Sequence, residues 1–162
     1  MRTKRTREMS FRSLRRKIVS DPYEKALTLA KLGEQNYPKV FELLERADQR
    51  GDLRATYALA TWYLHGRYVR RNYRKAVSLL RKAADGGLPD ALYDLAVCYE
   101  DGVGVKSSAK RAVELYLRAA LHGDAQSHYE VGRCYYYGIG VARDRRVARV
   151  WFRRAREMGI ED

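Results

Sequence analysis

The chain has 162 residues, 46% hydrophobic and 33% charged, so it can form one hydrophobic core and is not a disordered sequence. It has only two cysteines and no apolar run near the roughly 18 residues of a transmembrane helix, which argues against a disulfide-rich scaffold and a membrane-spanning protein. The 33 Lys and Arg residues outnumber the 20 Asp and Glu residues, and the net charge of +13 favours acidic partners.

The first segment, residues 1–20, is a basic amino-terminal tail with eight Lys or Arg residues and one Glu. Phe11, Leu14 and Ile18 would share one side of a helix. Three interpretations stay open: an amphipathic cap on the first hairpin, a basic arm for nucleic acid or anionic lipid, and an organelle presequence. The low cysteine content favours a reducing compartment, the cytoplasm, whereas a presequence would place the protein in an organelle matrix.

Residues 21–51 are interpreted as a degenerate capping hairpin. Asp21-Pro22 predicts the start of a helix that ends near Gly33, and Tyr37-Pro38 predicts the start of the next helix. Proline is well tolerated in a first helical turn, where its missing N–H would have no partner anyway.

Residues 52–162 repeat with a period of 36 residues, as the spacing of Tyr57, Tyr93 and Tyr129 shows. The units are 53–87, 88–123 and 124–159, and each ends in a glycine. A period of this length predicts an all-α solenoid of stacked helical hairpins, which forms one structural domain with residues 21–51.

Each unit contains two predicted helices. In the second unit the first helix ends at Gly102, because glycine adopts the left-handed conformation without steric cost. A short polar residue then caps a second helix of about 13 residues in each unit: Asn72, Ser108 and Asp144. Tyr68 replaces the second loop glycine of the first unit, so we expect that loop to be strained or differently shaped.

The pattern Ala-x-Tyr-x-Leu-Ala-x-x-Tyr-x-x-Gly-x-Gly-Val, which ends in Ala-Ala-x-x-Gly, resembles the Sel-one-like repeat (SLR), a relative of the tetratricopeptide repeat. The resemblance covers residues 53–159. It implies a right-handed α/α superhelix that acts as an interaction scaffold or adaptor and has no characteristic catalytic residues. Arg111 and Val147 depart from the preferred lysine, which is present as Lys75. Cys98 and Cys134 occupy equivalent positions of adjacent units, so the cysteine pairing of one family branch is absent, and we expect two buried thiols.

The tetratricopeptide analogy implies that the first helices line a concave groove. The predicted groove residues are Arg54, Tyr57, Thr61, Leu64, His65, Asp90, Tyr93, Val97, Glu100, Asp101, Gln126, Tyr129, Arg133, Tyr136 and Tyr137. Tyr57, Tyr93 and Tyr129 would form a ladder that either anchors a peptide or only packs the repeats. Tyr136 and Tyr137 are better candidates for binding, because the other units carry different residues there.

Charge is distributed unevenly between the predicted helices. The first helix of the second unit is acidic and carries Asp90, Asp94, Glu100 and Asp101. A basic patch on the last helix and its loop contains Arg143, Arg145, Arg146, Arg149, Arg153 and Arg154. This patch is either a solvated face or a contact for an acidic partner, whose carboxylates or phosphates arginine can bind in a bidentate manner.

These features predict a non-enzymatic scaffold that binds another protein through the concave groove and the basic flank. The alternative is a nucleic-acid-binding protein that uses the tail and the outer helices on phosphates. No motif for a metal, a cofactor or nucleophilic catalysis stands out. The last helix also carries the apolar residues Val147, Val150, Trp151, Phe152 and Met158, and Ile160 follows it. We expect those that do not face their own repeat to be partly exposed, and a second copy or a partner to cover them.

Overall fold

The computed structural model describes residues 21–160, and the predictions for the amino-terminal tail lie outside the described residues. Within this range the chain forms eight α-helices and one short 3₁₀ helix, and no strand. The helices are α1 (Pro22–Ala30), α2 (Tyr37–Gln49), α3 (Leu53–His65), α4 (Tyr73–Asp85), α5 (Pro89–Asp101), α6 (Ala109–Leu121), α7 (Ala125–Tyr137) and α8 (Arg145–Glu157).

Successive helices pair as hairpins, α1 with α2, α3 with α4, α5 with α6 and α7 with α8. The second helix of each hairpin also packs against the first helix of the next one. This arrangement is the predicted right-handed α/α superhelix with a repeat of about 36 residues. None of the helices described between residues 21 and 160 has the length and hydrophobicity needed to cross a membrane.

The helix ends form where the sequence predicts them in the three full repeats. The Asn72 side chain accepts a hydrogen bond of 3.0 Å from the Lys75 backbone N–H, and Asp144 accepts one of 2.8 Å from that of Arg146. Gly102 follows α5 with φ of 72°, in the left-handed region. These caps satisfy backbone groups that a helix end leaves without partners.

The first hairpin departs from its predicted boundary, since α1 ends at Ala30 instead of near Gly33. The chain tightens there, because the N–H of Leu32 bonds to the Leu29 carbonyl three residues back. A 3₁₀ helix at Glu34–Asn36 then leads into α2. This compact turn takes the place of the longer glycine-containing loop of the later repeats.

Tyr68 is the one non-glycine residue of the described range with a positive φ, 61°. Gly104 and Gly140 occupy the same place in the next repeats, both with φ of 70°. The Tyr68 ring contacts Phe41 at a centroid distance of 5.7 Å and Trp62 at 6.0 Å. Of the two predicted outcomes, the strained loop is therefore the one observed, and aromatic packing on Phe41 of α2 and Trp62 of α3 helps to offset its cost.

The motif lysine has a visible structural role. Lys75 donates a hydrogen bond of 2.7 Å to the Tyr63 hydroxyl, and its substitute Arg111 donates one of 3.0 Å to Tyr99. Although burial alone would raise it, the hydrogen bonds from Arg81 and Arg111 lower the pKa of Tyr99. Lys75 and Arg111 therefore each connect the second helix of their repeat to its first helix through a tyrosine hydroxyl.

The two cysteines are free and lie in the core, with 3% of Cys98 and 1% of Cys134 exposed. Burial raises the pKa of each thiol to about 11. This confirms the expectation of buried thiols that act as small apolar residues.

Candidate functional site

Side-chain contacts place the first helices of successive hairpins next to each other. Three contacts connect them: Arg54 with Glu24 at 3.0 Å, Tyr57 with Asp94 at 3.0 Å, and Arg133 with Glu100 at 2.7 Å. We call the surface formed by α1, α3, α5 and α7 the first-helix face. The opposite surface, formed by α2, α4, α6 and α8, is the second-helix face, where Lys82 of α4 bonds to Asp48 of α2 at 2.6 Å.

A cavity of about 320 Å³ lies where α3, α5 and their loops meet. Leu64, Val97 and Cys98 form its apolar wall. His65 and Arg71 line it as well, together with the carboxylate-bearing Asp94. The cavity therefore combines an apolar surface with a carboxylate, a guanidinium group and an imidazole.

Asp94 is half-buried at this cavity and has no ion pair within the described residues. The Tyr57 hydroxyl donates a hydrogen bond of 3.0 Å to its Oδ2 atom. Burial raises the pKa of Asp94, and the negative charges of Asp90 and Asp124 raise it further, whereas the Tyr57 hydrogen bond and nearby His65 lower it. Burial and the Asp94 carboxylate in turn raise the pKa of Tyr57. Asp94 is thus a half-buried carboxylate at the cavity that forms no ion pair within the described residues.

Glu100 and Arg133 belong to a separate cluster in which one arginine pairs with two carboxylates. One guanidinium nitrogen of Arg133 lies 2.7 and 2.8 Å from the two Glu100 oxygens, and its Nε donates to Glu130 at 2.7 Å. Tyr116 of α6 donates a further hydrogen bond of 3.0 Å to Glu100. Burial and the adjacent Glu100 charge raise the pKa of Tyr116. This cluster joins the second and third repeats.

The three ladder tyrosines are all half-buried, and each has a different partner. Tyr57 bonds to Asp94, Tyr93 packs on Tyr116 at 5.6 Å, and Tyr129 packs on Phe152 at 5.3 Å. These contacts are those expected of residues that pack the repeats. Whether they also bind a partner stays a prediction.

Tyr136 and Tyr137 lie at the carboxyl end of α7 and pack edge to face, with 4.8 Å between their centroids. Tyr137 is 67% exposed. The Arg145 guanidinium lies 5.0 Å from the centre of the Tyr136 ring. This aromatic pair is therefore available at the surface.

The remaining predicted groove residues fall into two groups. Arg54 is held by Asp21, Glu24 and Asp52, and Thr61 donates a hydrogen bond of 2.8 Å to the Ala58 carbonyl, so both have intramolecular partners. His65, Asp90 and Asp101 are exposed, and Gln126 is half-buried.

All six arginines of the basic patch are exposed. Arg143 donates a hydrogen bond of 3.1 Å to the Tyr136 carbonyl, and Arg154 pairs with Glu157 at 3.0 Å. Between residues 21 and 160, Arg146, Arg149 and Arg153 form no ion pair. Most of the patch is therefore free to meet an acidic group.

Sequence reasoning omitted Asp94, Glu130 and Tyr116 from the predicted groove residues. The pairing of Glu130 with Arg133 could have been predicted from the sequence, because side chains three residues apart on one helix are neighbours. The hydrogen bonds of Asp94 and Tyr116 could not be predicted from neighbouring residues, because their partners lie in other helices.

Comparisons with known proteins agree with this architecture. The model of the Sel1 repeat family matches residues 53–88, 89–124 and 125–160. No curated protein matches the chain. A Sel1 repeat protein from Oxalobacter formigenes is 38% identical, with a TM-score of 0.69 over 73% of this chain and 89% of its own.

Two further crystal structures are similar. The protective antigen c5321 of uropathogenic Escherichia coli, which displays an SLR fold, is 30% identical with a TM-score of 0.84 over 94% of this chain. This chain spans only 34% of the length of c5321. Cysteine-rich protein B of Helicobacter pylori, 21% identical with a TM-score of 0.58 over 73% of this chain and 95% of its own, shares the fold. With three consecutive repeats matched over two thirds of its length, the chain belongs to the Sel1 repeat family.

Proposed function

We propose that this protein binds an extended segment of another protein along its first-helix face, and that Asp94 receives a lysine or arginine side chain of that segment. Sel1 repeat proteins are generally protein-interaction scaffolds, and no catalytic family is found for this chain. The observation that carries the proposal is the half-buried Asp94 carboxylate, which borders a cavity and forms no ion pair within residues 21–160.

The energetics of burial support a cationic ligand. A carboxylate that is removed from water loses solvation, and a nearby opposite charge compensates for that loss. In the second and third repeats, Arg133 provides this compensation for Glu100 and Glu130. No lysine or arginine forms an ion pair with Asp94 within the described residues, so a cation that a partner places against this carboxylate would compensate for its lost solvation.

The shape of the cavity fits one long side chain. Its volume of about 320 Å³ lies at the lower end of the range for ligand pockets, roughly 300–1,000 Å³. Leu64 and Val97 can pack against the aliphatic stem of lysine or arginine while the charged end reaches Asp94. Exposed Asp90 and Asp101 on the same helix would attract further basic residues and would repel nucleic-acid phosphates.

The test is a selection of peptides from a random display library on the wild-type protein. We expect the selected peptides to share a lysine or arginine, and we expect Asp94→Asn to weaken their binding about tenfold, or ~1.4 kcal/mol. Glu114→Gln is the matched control, since Glu114 is an exposed carboxylate on α6 of the second-helix face. Peptides without a basic consensus, or equal binding to the Asp94→Asn variant, would refute the proposal.

A further inference from the structure

A second surface, on the opposite face of the superhelix, has exposed apolar residues at the junction of α6 and α8. Leu121 is 81% exposed and Val150 is 61% exposed. Both residues border a cavity of about 550 Å³, together with Trp151, Arg153 and Arg154, and the carboxylate of Glu157 lies at the same cavity. We call Leu121, Val150, Trp151, Arg153 and Arg154 the junction patch.

The preceding junction, between α4 and α6, shows that the fold does not require apolar residues at these two positions. Thirty-six residues earlier, Asp85 and Glu114 stand at the positions of Leu121 and Val150. At that junction Arg118 also reaches across to the Ala84 carbonyl with a hydrogen bond of 3.2 Å. Stacking of the repeats alone therefore does not explain the two exposed apolar residues.

The arginines around the patch also differ from those of the earlier junction. Arg154, the counterpart of Arg118, pairs with Glu157 on its own helix at 3.0 Å. The junction therefore lacks, within the described residues, the side-chain bridge seen between α4 and α6. Because Val150 precedes Arg153 and Arg154 by three and four residues on α8, the apolar and cationic groups share one side of the helix.

The positive charge of α8 favours an acidic partner at the patch over a second copy of this chain. The helix α8 carries six arginines, and Glu157 is its only acidic residue. A symmetric dimer through this face would bring arginines of two copies together, which is unfavourable. An acidic partner would instead form charge-assisted, bidentate pairs with the guanidinium groups.

We propose that the junction patch binds an acidic amphipathic segment of a partner protein. An apolar side chain of that segment enters the cavity beside Leu121 and Trp151, and its carboxylates pair with Arg153 and Arg154. This site lies on the opposite face from Asp94 and does not depend on the groove. The protein would then connect a basic segment on one face with an acidic segment on the other.

The test measures the binding of a fluorescein-labelled helical peptide with leucines on one face and glutamates on the other. The variant Leu121→Asp with Val150→Glu introduces acidic residues like those of the preceding junction, so we expect it to fold. We expect about tenfold weaker binding to this variant. The control is Leu32→Asp with Ser78→Glu, which changes the charge equally at exposed positions outside the patch and should leave binding unchanged.

Several outcomes would overturn the proposal. The first is that the peptide does not bind the wild-type protein. The second is that the peptide binds the patch variant as tightly as the wild type. The third is that a peptide whose leucines are replaced by serines binds the wild type as tightly as the original peptide. A dimer in sedimentation that the patch variant abolishes would show instead that a second copy covers the patch. A DNA duplex that binds more tightly than the peptide, and equally to the variant, would show instead a phosphate-binding surface.

Discussion

Arg133 on α7 holds Glu100 on α5 through a single nitrogen, Nη2, which lies 2.7 Å from Oε1 and 2.8 Å from Oε2. Its Nε atom binds Glu130 at 2.7 Å. Arg133 therefore pairs with two carboxylates at the boundary between the second and third repeats, where its side chain is only 26% exposed.

The first prediction follows from this cluster. Arg133→Ala should lower the free energy of unfolding by about 1–3 kcal/mol, because it leaves two partly buried carboxylates near each other without a cation. Urea unfolding measures the loss, with the exposed Lys110→Ala as the control. Glu100→Gln with Glu130→Gln should restore part of the loss, and an Arg133→Ala protein as stable as the control would contradict the account.

The second prediction concerns pH. Burial raises the pKa of Asp94 above its ordinary 3.8, so the folded state favours the protonated form. The stability contribution of Asp94 is fully present below pH 3.8 and is lost as the pH rises through its folded-state pKa. We therefore expect Asp94→Asn to raise the thermal midpoint at pH 7 by about 1–3 °C, and the gain to vanish towards pH 4. A gain that is the same at both pH values would be inconsistent with this linkage.

The third prediction compares two glycines with left-handed backbones. A Cβ atom at Gly140 would lie 2.3 Å from the Ala109 carbonyl oxygen, whereas one at Gly123 would meet no atom within 4 Å. Gly123→Ala should cost about 1–2 kcal/mol from its backbone conformation alone. Gly140→Ala should cost clearly more, since the clash forces the loop away from α6. Thermal unfolding compares the two variants, and equal losses would show that the loop does not pack as described.

The fourth prediction concerns a buried hydroxyl. The Ser127 Oγ atom is fully buried and has no hydrogen-bond partner among the described residues. Alanine stands at the equivalent positions of the other repeats, Ala55 and Ala91. Ser127→Ala should raise the free energy of unfolding by about 1 kcal/mol. The exposed Ser78→Ala corrects for helix propensity, and no gain beyond that control would mean that the hydroxyl is satisfied in solution.

Much of the fold is predictable from sequence because its determinants are local. The caps Asn72 and Asp144 and the glycine that follows α5 act within a few residues, and the period of 36 residues repeats them. The end of α1 was harder to predict, because a tightened turn before Gly33 replaces the left-handed glycine that directly follows α3, α5 and α7.

The contacts of the candidate site depend on how neighbouring repeats are positioned relative to each other. A pattern of neighbouring residues in the sequence does not predict this positioning. Tyr57 bonds to Asp94, 37 residues later, and not to Tyr93, its equivalent in the next repeat. The acidity of α5 is visible in the sequence, but the pairing of Glu100 and the isolation of Asp94 become clear only once the helices are placed.

The most direct test of the central claim is a double-mutant cycle between Asp94 and the basic residue of a selected peptide. The dissociation constants of wild type and Asp94→Asn are measured by calorimetry, each with the peptide and with its lysine or arginine replaced by methionine. The account predicts a coupling energy of at least about 1 kcal/mol. A coupling energy near zero would show that the basic side chain does not bind at Asp94 and would contradict the account.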